Sequence, residues 1–354
     1  MSRALFGMTL DELAAETAAL GLPAFAARQM TDWLYAKNAA SIEEMTNLPK
    51  AARTALAETF EIGRTPPAGR MQSADGVRKY LFPVDAGRAV ETAWIPDRDR
   101  ATLCVSTQIG CCRACRFCAT GRMGLRGNLS GGQILNQLAS LPDPETVTNL
   151  VFMGIGEPLD NPEATLAAVR ILTAPWGYAW SPSRISVSTV GILPALERLL
   201  AESRCHVAWS LHSPFPDERA TLMPVERQYP MLTVLEVLRQ SAAFEGQRRL
   251  MIEITLLRGI NDSLQHARET ERLLRGLRCR VNLIPFNPTP DLPFEASGRD
   301  TLEAYQDVLI RAGRRTTIRN SRGADIFAAC GLLATARPER GEGDVPKSGE
   351  APKS

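Results

Sequence analysis

Apolar positions in this chain change their period near residue 70. Before that point they recur at helical spacing. Phe25, Met30, Trp33 and Leu34 share one face of a helix that Pro23 opens and that runs from Ala24 to Tyr35, and Leu56 and Phe60 repeat the spacing within Pro49 to Phe60. Two capping-box pairs, Thr9 with Glu12 and Ser41 with Glu44, predict further helix starts. Residues 1–70 therefore read as a small helical N-terminal unit, closed by the turn-rich stretch Gly63 to Gly69. Residues 71–96 follow as a β-hairpin extension, with Tyr80-Leu81-Phe82 in one arm and Val90 to Ile95 in the other.

Beyond Thr102, short β-rich apolar runs alternate with helical patterns. The runs are Leu103 to Ser106, Leu150 to Met153, Ile185 to Ser188, Val207 to Leu211, Met251 to Leu257 and Val281 to Ile284. Helical patterns fill the gaps at Ser130 to Leu141, Glu163 to Leu172, Pro194 to Glu202, Met231 to Phe244 and Ser263 to Leu274, with another near Thr301 to Ala312. Such alternation means parallel strands joined by crossover helices. Six units predict an α/β fold of the partial (β/α)6 barrel type over residues 97–335, with its site at the C-terminal ends of the strands. From Ala336 the chain is almost free of apolar residues, so residues 336–354 are expected to be a disordered tail.

Composition adds a core and removes two function classes. With 354 residues and 44% hydrophobic content the chain can bury a sizeable interior. Its 41 Lys and Arg against 39 Asp and Glu leave a net charge of +2, so any polyanion site must be a local patch. No apolar run reaches the roughly 20 residues that span a bilayer, and the start Met1-Ser2-Arg3-Ala4 lacks a signal sequence. The expectation is a soluble cytoplasmic protein without membrane contact, whose eight cysteines serve metal or redox chemistry in a reducing compartment.

Four of those cysteines fall in Cys111-Cys112-Arg113-Ala114-Cys115-Arg116-Phe117-Cys118. Cys111, Cys115 and Cys118 have the gaps of a loop that wraps three corners of an iron–sulfur cube and leaves the fourth iron open. Zinc would need a fourth ligand and usually takes its ligands in two pairs. No second Cys or His pair is present, and His206, His212 and His266 are scattered. Cys112 breaks the spacing and has no assigned role.

The loop resembles that of the radical S-adenosylmethionine superfamily, including the aromatic Phe117 before the last cysteine. Gly154-Ile155-Gly156-Glu157-Pro158 resembles the family segment that contacts the amino group of S-adenosylmethionine, which implicates Gly156, Glu157 and Pro158. Three further strand ends, Ser186 to Gly191, Trp209 to Ser213 and Ile284 to Pro288, are similar to segments of the dual-specificity adenine-C2 RNA methyltransferases. That resemblance runs from about residue 10 to residue 333. It implies one [4Fe–4S] cluster held by Cys111, Cys115 and Cys118, and S-adenosylmethionine contacts from Ser188, Ser210, Leu211, His212 and Asn287.

The same resemblance gives roles to three more residues. Cys330, in Ala328-Ala329-Cys330-Gly331, would carry a methyl group taken from one S-adenosylmethionine, and a radical from a second would activate it. Glu91 would accept the C2 proton, and Cys104 would resolve the RNA adduct through a transient disulfide with Cys330. The implied substrates are ribosomal RNA and transfer RNA, the implied electron source is an external flavodoxin-like reductant, and a monomer is expected. Arg122 with Arg126, Arg248 with Arg249, and the run Arg311, Arg314, Arg315, Arg319, Arg322 are candidate phosphate contacts or ordinary solvated faces. Two alternatives share the cysteine loop: an adenine-C8 methyltransferase of the same family, and a radical activase acting on a protein, which has no need of Cys104 and Cys330.

Overall fold

Thr9 closes its capping box. Its hydroxyl accepts from the Glu12 amide at 3.4 Å, while the Glu12 carboxylate accepts from the Thr9 amide at 2.6 Å, and helix α1 (Leu10–Ala19) follows. Helix α2 (Ala26–Thr31) runs on into a π-turn over Asp32–Ala36, and α3 (Lys50–Thr59) completes the N-terminal helices. The Ser41 and Glu44 pair starts no helix. Residues 41–44 make a turn in which the Glu44 carboxylate accepts from the Ala40 amide at 3.2 Å. Asn38 stands at φ +58°, outside helical geometry, and Pro49 disfavours helix at Leu48, so too little chain lies between them for a stable helix.

The structure is a computed structural model that describes residues 2–85, 87–289 and 291–333. The expected tail, 336–354, lies outside the described residues. A ten-stranded sheet organises the remainder: β1 (Gly69–Gln72), β2 (Arg78–Asp85), β3 (Arg88–Asp97), β4 (Arg100–Cys104), β5 (Asn149–Phe152), β6 (Ile185–Thr189), β7 (His206–Ser210), β8 (Leu250–Leu256), β9 (Arg280–Pro285) and β10 (Thr316–Ile318), ordered from β10 to β1.

Strands β4 to β10 are parallel, and β3, β2 and β1 continue the same sheet antiparallel. The six expected parallel strands are all present. A seventh, β10, pairs with Val281 to Leu283 of β9, and a third strand, β1, joins the expected hairpin. Helices α4 (Gly131–Ala139), α5 (Pro162–Thr173), α6 (Leu193–Glu202), α7 (Pro216–Leu222), α8 (Met231–Gln240), α9 (Leu264–Leu273) and α10 (Arg299–Arg311) form the connections.

Apolar strand residues such as Leu103, Phe152, Val187, Trp209, Ile252 and Leu283 are fully buried and form the core. The sheet remains open, with β10 and β1 as its two edges. The C-terminal ends of the parallel strands thus converge on one side of the molecule, as a sheet of this kind requires. Among the described residues no helix is long and apolar enough to cross a membrane.

Candidate active site

Beyond β4 the chain pairs Gln108 and Ile109 with Asn128 and Gly127, closing a loop that carries the clustered cysteines. Gly110 permits the closure: its φ is +79°, and a Cβ there would stand 1.8 Å from the Gly124 carbonyl oxygen. Cys111 donates its amide to that same oxygen at 3.2 Å, and the Cys118 amide donates to the Cys115 carbonyl at 3.1 Å. Cys111, Cys115 and Cys118 line one pocket. Cys112 faces away from it, its Sγ 3.4 Å from the Asp160 carboxylate.

Burial pushes the Cys111 thiol up to about 12 and the Cys115 thiol well above its ordinary value, and the neighbouring thiols add to the effect. Such groups become thiolates when a cation compensates them, which cluster iron does. Among the described residues no three Cys, His, Asp or Glu side chains are gathered as around a single ion. The donor set instead suits a cube, which gives each thiolate its own iron at a separate corner.

The strand ends complete the pocket. After β5, Gly156 turns at φ +106° and presses against the side chain of Gln108, which aims Glu157 inward. The Glu157 carboxylate accepts amide hydrogen bonds from Leu159 and Val190, both at 3.0 Å. Burial, only partly offset by these donors and by Thr189, still lifts it to about 7. It is a carboxylate short of a cation.

Pro158, Ser188, Ser210, His212 and Asn287 line the same pocket. His212, at φ +59°, accepts from the Thr255 amide at 2.9 Å and lies 4.6 Å from the Phe117 ring; burial drives it down to about 3, so it is neutral. Leu211 does not line the pocket. Its side chain is fully buried, and its backbone bonds the Glu253 carbonyl at 3.1 Å and the Arg219 side chain at 3.0 Å.

Cys330 enters the pocket from the other end of the chain, beside the three loop cysteines. Its segment is fixed by bonds from Asn287 Nδ2 to the Cys330 carbonyl at 3.1 Å and from the Ala119 amide to the Gly331 carbonyl at 2.9 Å. With that segment in place the free volume is about 180 Å³. Cys104 lies behind, at the end of β4, packed among Val77, Ala93, Ile155, Ile326 and Ala328 and outside the pocket lining. Its thiol is pushed up to about 12 by burial and by Cys330, against the opposing charge of Arg319.

Glu91, on β3, is also outside the lining. It is no solvated face residue: it is 4% exposed, sits 2.9 Å from Lys79 Nζ, and its backbone carbonyl accepts from Ser106 Oγ at 2.6 Å.

Two residues of the pocket escaped the sequence reading. Glu253 is buried in β8, held by Asn282 at 2.8 Å, with its second oxygen 3.8 Å from Arg319. A lone carboxylate inside the apolar run Met251 to Leu257 was the available signal. Arg319 belongs to an arginine run in the sequence, but the structure disperses that run and turns Arg319 into the pocket. Arg311 faces Asp307 at 3.7 Å, Arg314 donates to the Leu277 carbonyl at 3.3 Å, and Arg322 binds the Pro96 carbonyl. Arg248 is equally committed, donating to the carbonyls of Leu199, Leu200, Ser203 and Cys205, and Arg122 donates to that of Asp291.

Known proteins share this architecture. Residues 105–273 match the Radical SAM superfamily, and residues 4–62 match the Ribosomal RNA large subunit methyltransferase N-terminal domain. The chain is 51% identical over 335 residues to a "Probable dual-specificity RNA methyltransferase RlmN" of Parabacteroides distasonis, covering 95% of this chain and 97% of that protein. It is 41% identical over 331 residues to the "Dual-specificity RNA methyltransferase RlmN" of Syntrophus aciditrophicus, covering 92% and 95%. The crystal structure of a radical SAM methyltransferase from Sphaerobacter thermophilus superposes with a TM-score of 0.86 at 42% identity, over 94% of this chain and 99% of that one. Sequence, fold and the cysteine-lined pocket agree, and the chain belongs to the radical S-adenosylmethionine dual-specificity RNA methyltransferases.

Proposed function

We propose that this protein methylates C2 of adenine in 23S ribosomal RNA and in transfer RNA, with Cys330 as the methyl carrier. The observation that carries the methyl-carrier role is the meeting of Cys330 with Cys111, Cys115 and Cys118 in one pocket, with Cys104 close behind, while the match of residues 4–62 favours C2 over C8. A protein activase would have no use for those two extra thiols. An aromatic carbon such as C2 has no lone pair with which to attack a sulfonium methyl, so a sulfur relay answers a chemical need.

When bound, one [4Fe–4S] cluster and two molecules of S-adenosylmethionine supply an electrophilic methyl group and a hydrogen-abstracting radical. Cys111, Cys115 and Cys118 would hold three irons. Glu157 offers an under-compensated carboxylate to the cofactor ammonium, and Ser188, Ser210, neutral His212 and Asn287 offer polar contacts around it. The Leu211 backbone holds the strand end that presents Ser210 and His212.

Cys330 first takes a methyl group by thiolate displacement. After losing one hydrogen atom, its S-methylene carbon bonds to C2. The adduct radical must then lose one electron, for which the oxidised cluster held by Cys111, Cys115 and Cys118 would be the acceptor, and Glu91 accepts the C2 proton. Cys104 attacks the Cys330 sulfur, the C–S electron pair stays with the methylene carbon, and that carbon takes a proton to become the methyl group. An external reductant of the flavodoxin type supplies electrons, and a cytoplasmic monomer is sufficient for every step.

Mass spectrometry of the protein purified with its cluster tests the scheme. A methyl group on Cys330 is expected, along with a covalent RNA adduct that accumulates in Cys104→Ala. Turnover on RNA with Cys330 never methylated would sink it. Methylation mapped to C8 would move the protein to the sister activity.

A further inference from the structure

At the opposite end of the sheet from the cluster pocket, the N-terminal ends of β7, β8 and β9 and the chain entering β10 flank a groove of about 620 Å³ that is open to solvent, with Arg249 and Arg315 exposed and Arg280 half-buried. Arg248, Arg249, Arg278, Arg280 and Arg315 line it, and no Asp or Glu does. Arg248 is committed to backbone carbonyls, and Arg278 donates to the Glu245 carbonyl at 2.6 Å. The side chains of Arg249, Arg280 and Arg315 make no ion pair or hydrogen bond among the described residues.

Uncompensated like charges in a concave site repel one another. Burial, then Arg249 and Arg315, hold Arg280 below its ordinary value, and burial followed by Arg249, Arg248 and Arg280 pushes His206 down to about 4. A bound anion would relieve that repulsion, and the forked guanidinium matches phosphate oxygens in pairs.

We propose that this groove is a second binding site, remote from the cluster, for phosphate groups of a polyanion, with Arg249, Arg280 and Arg315 as its ligands. Two sources have that chemistry: the backbone of an RNA substrate, which rests on the RNA reading above, and a free oligophosphate, which does not.

Full-length protein titrated with tripolyphosphate by calorimetry, and with a structured RNA at several salt concentrations, tests the site. The variant carrying R249Q, R280Q and R315Q is expected to bind tripolyphosphate about tenfold or more weakly. If RNA is the occupant, its salt slope also becomes shallower by about 2, from roughly 0.7–0.9 per lost phosphate contact. Loss of tripolyphosphate binding with an unchanged RNA slope supports the site and assigns it to a free oligophosphate.

Because a triple variant can misfold, wild-type protein is also treated with phenylglyoxal. Tripolyphosphate should protect Arg249, Arg280 and Arg315 from modification, as read by peptide mass spectrometry. Absence of protection, together with unchanged RNA affinity and salt slope in the variant, overturns the proposal. A protein that methylates no RNA but shows protection would refute the RNA reading and leave the anion site standing.

Discussion

Arg319 places one positive charge near Cys330, Cys104 and Glu253, and it lowers both thiols against the burial that raises them. In protein prepared without its cluster, where Cys330 keeps a free thiol, Arg319→Leu removes the charge that offsets burial, so alkylation of Cys330 by iodoacetamide should slow by about tenfold for each pH unit that its thiol rises. Peptide mass spectrometry over time measures the rate, and a wild-type rate would show that the charge is not felt. His206 gives a pH test. Its folded value of about 4 lies below its ordinary 6.5, so the neutral ring contributes stability that is full above pH 6.5 and is lost as pH falls toward 4. At pH 5 the loss is at most about 2 kcal/mol. His206→Asn keeps an acceptor for the Arg249 amide, now 3.0 Å from Nδ1, and should flatten the fall in melting temperature between pH 7 and pH 5. At this scale the sequence revealed polar residues that end apolar strands, such as Ser188, Ser210 and Asn287. It did not reveal the Glu253 and Arg319 pair, since neither residue has a local spacing partner and only the sheet brings them together.

Identical local signatures lead to different elements. Thr9 and Ser41 both carry the capping-box spacing, yet only Thr9 has the uninterrupted chain that a helix needs, and Thr9→Ala should cost about 1 kcal/mol in denaturant unfolding. Strand β10 was hidden for a related reason: Thr316-Thr317-Ile318 is a three-residue edge strand among arginines, too short to show an apolar period. The cluster loop is the reverse case, because its chemistry was written in the cysteine spacing while its closure depends on Gly110. Gly110→Ala would force a Cβ against the Gly124 carbonyl at a left-handed φ. Purified protein should then carry less than half the wild-type iron, with the far-ultraviolet circular dichroism of the sheet retained. Normal iron content in this variant would show that the loop can relax.

The antiparallel edge of the sheet reaches across the molecule to hold the segment before Cys330. Ser73 Oγ donates to Asp325 at 2.5 Å, the Ala74 amide donates to the same carboxylate at 3.2 Å, and the Gly323 amide donates to Asp75 at 3.0 Å. Asp75→Ala should speed amide hydrogen exchange over residues 322–333 several-fold while leaving the iron content unchanged. Equal exchange in both proteins would mean that the remaining contacts suffice. The hairpin was legible from its alternating residues, but this clasp joins positions about 250 apart and leaves no mark in any local pattern. A similar separation divides the two thiols. Cys104 and Cys330 stand 226 positions apart, so the disulfide that the proposed reaction requires would close most of the chain into a ring. Cross-linking over such a length removes conformational freedom chiefly from the unfolded ensemble, by up to about 5 kcal/mol. In protein whose Cys330 is unmethylated, the oxidised form should therefore melt above the reduced one, and Cys104→Ser should abolish the difference. Each catalytic cycle would then raise and lower the stability of the whole chain without altering its folded contacts, and thermal stability would report where in the cycle the enzyme has stopped.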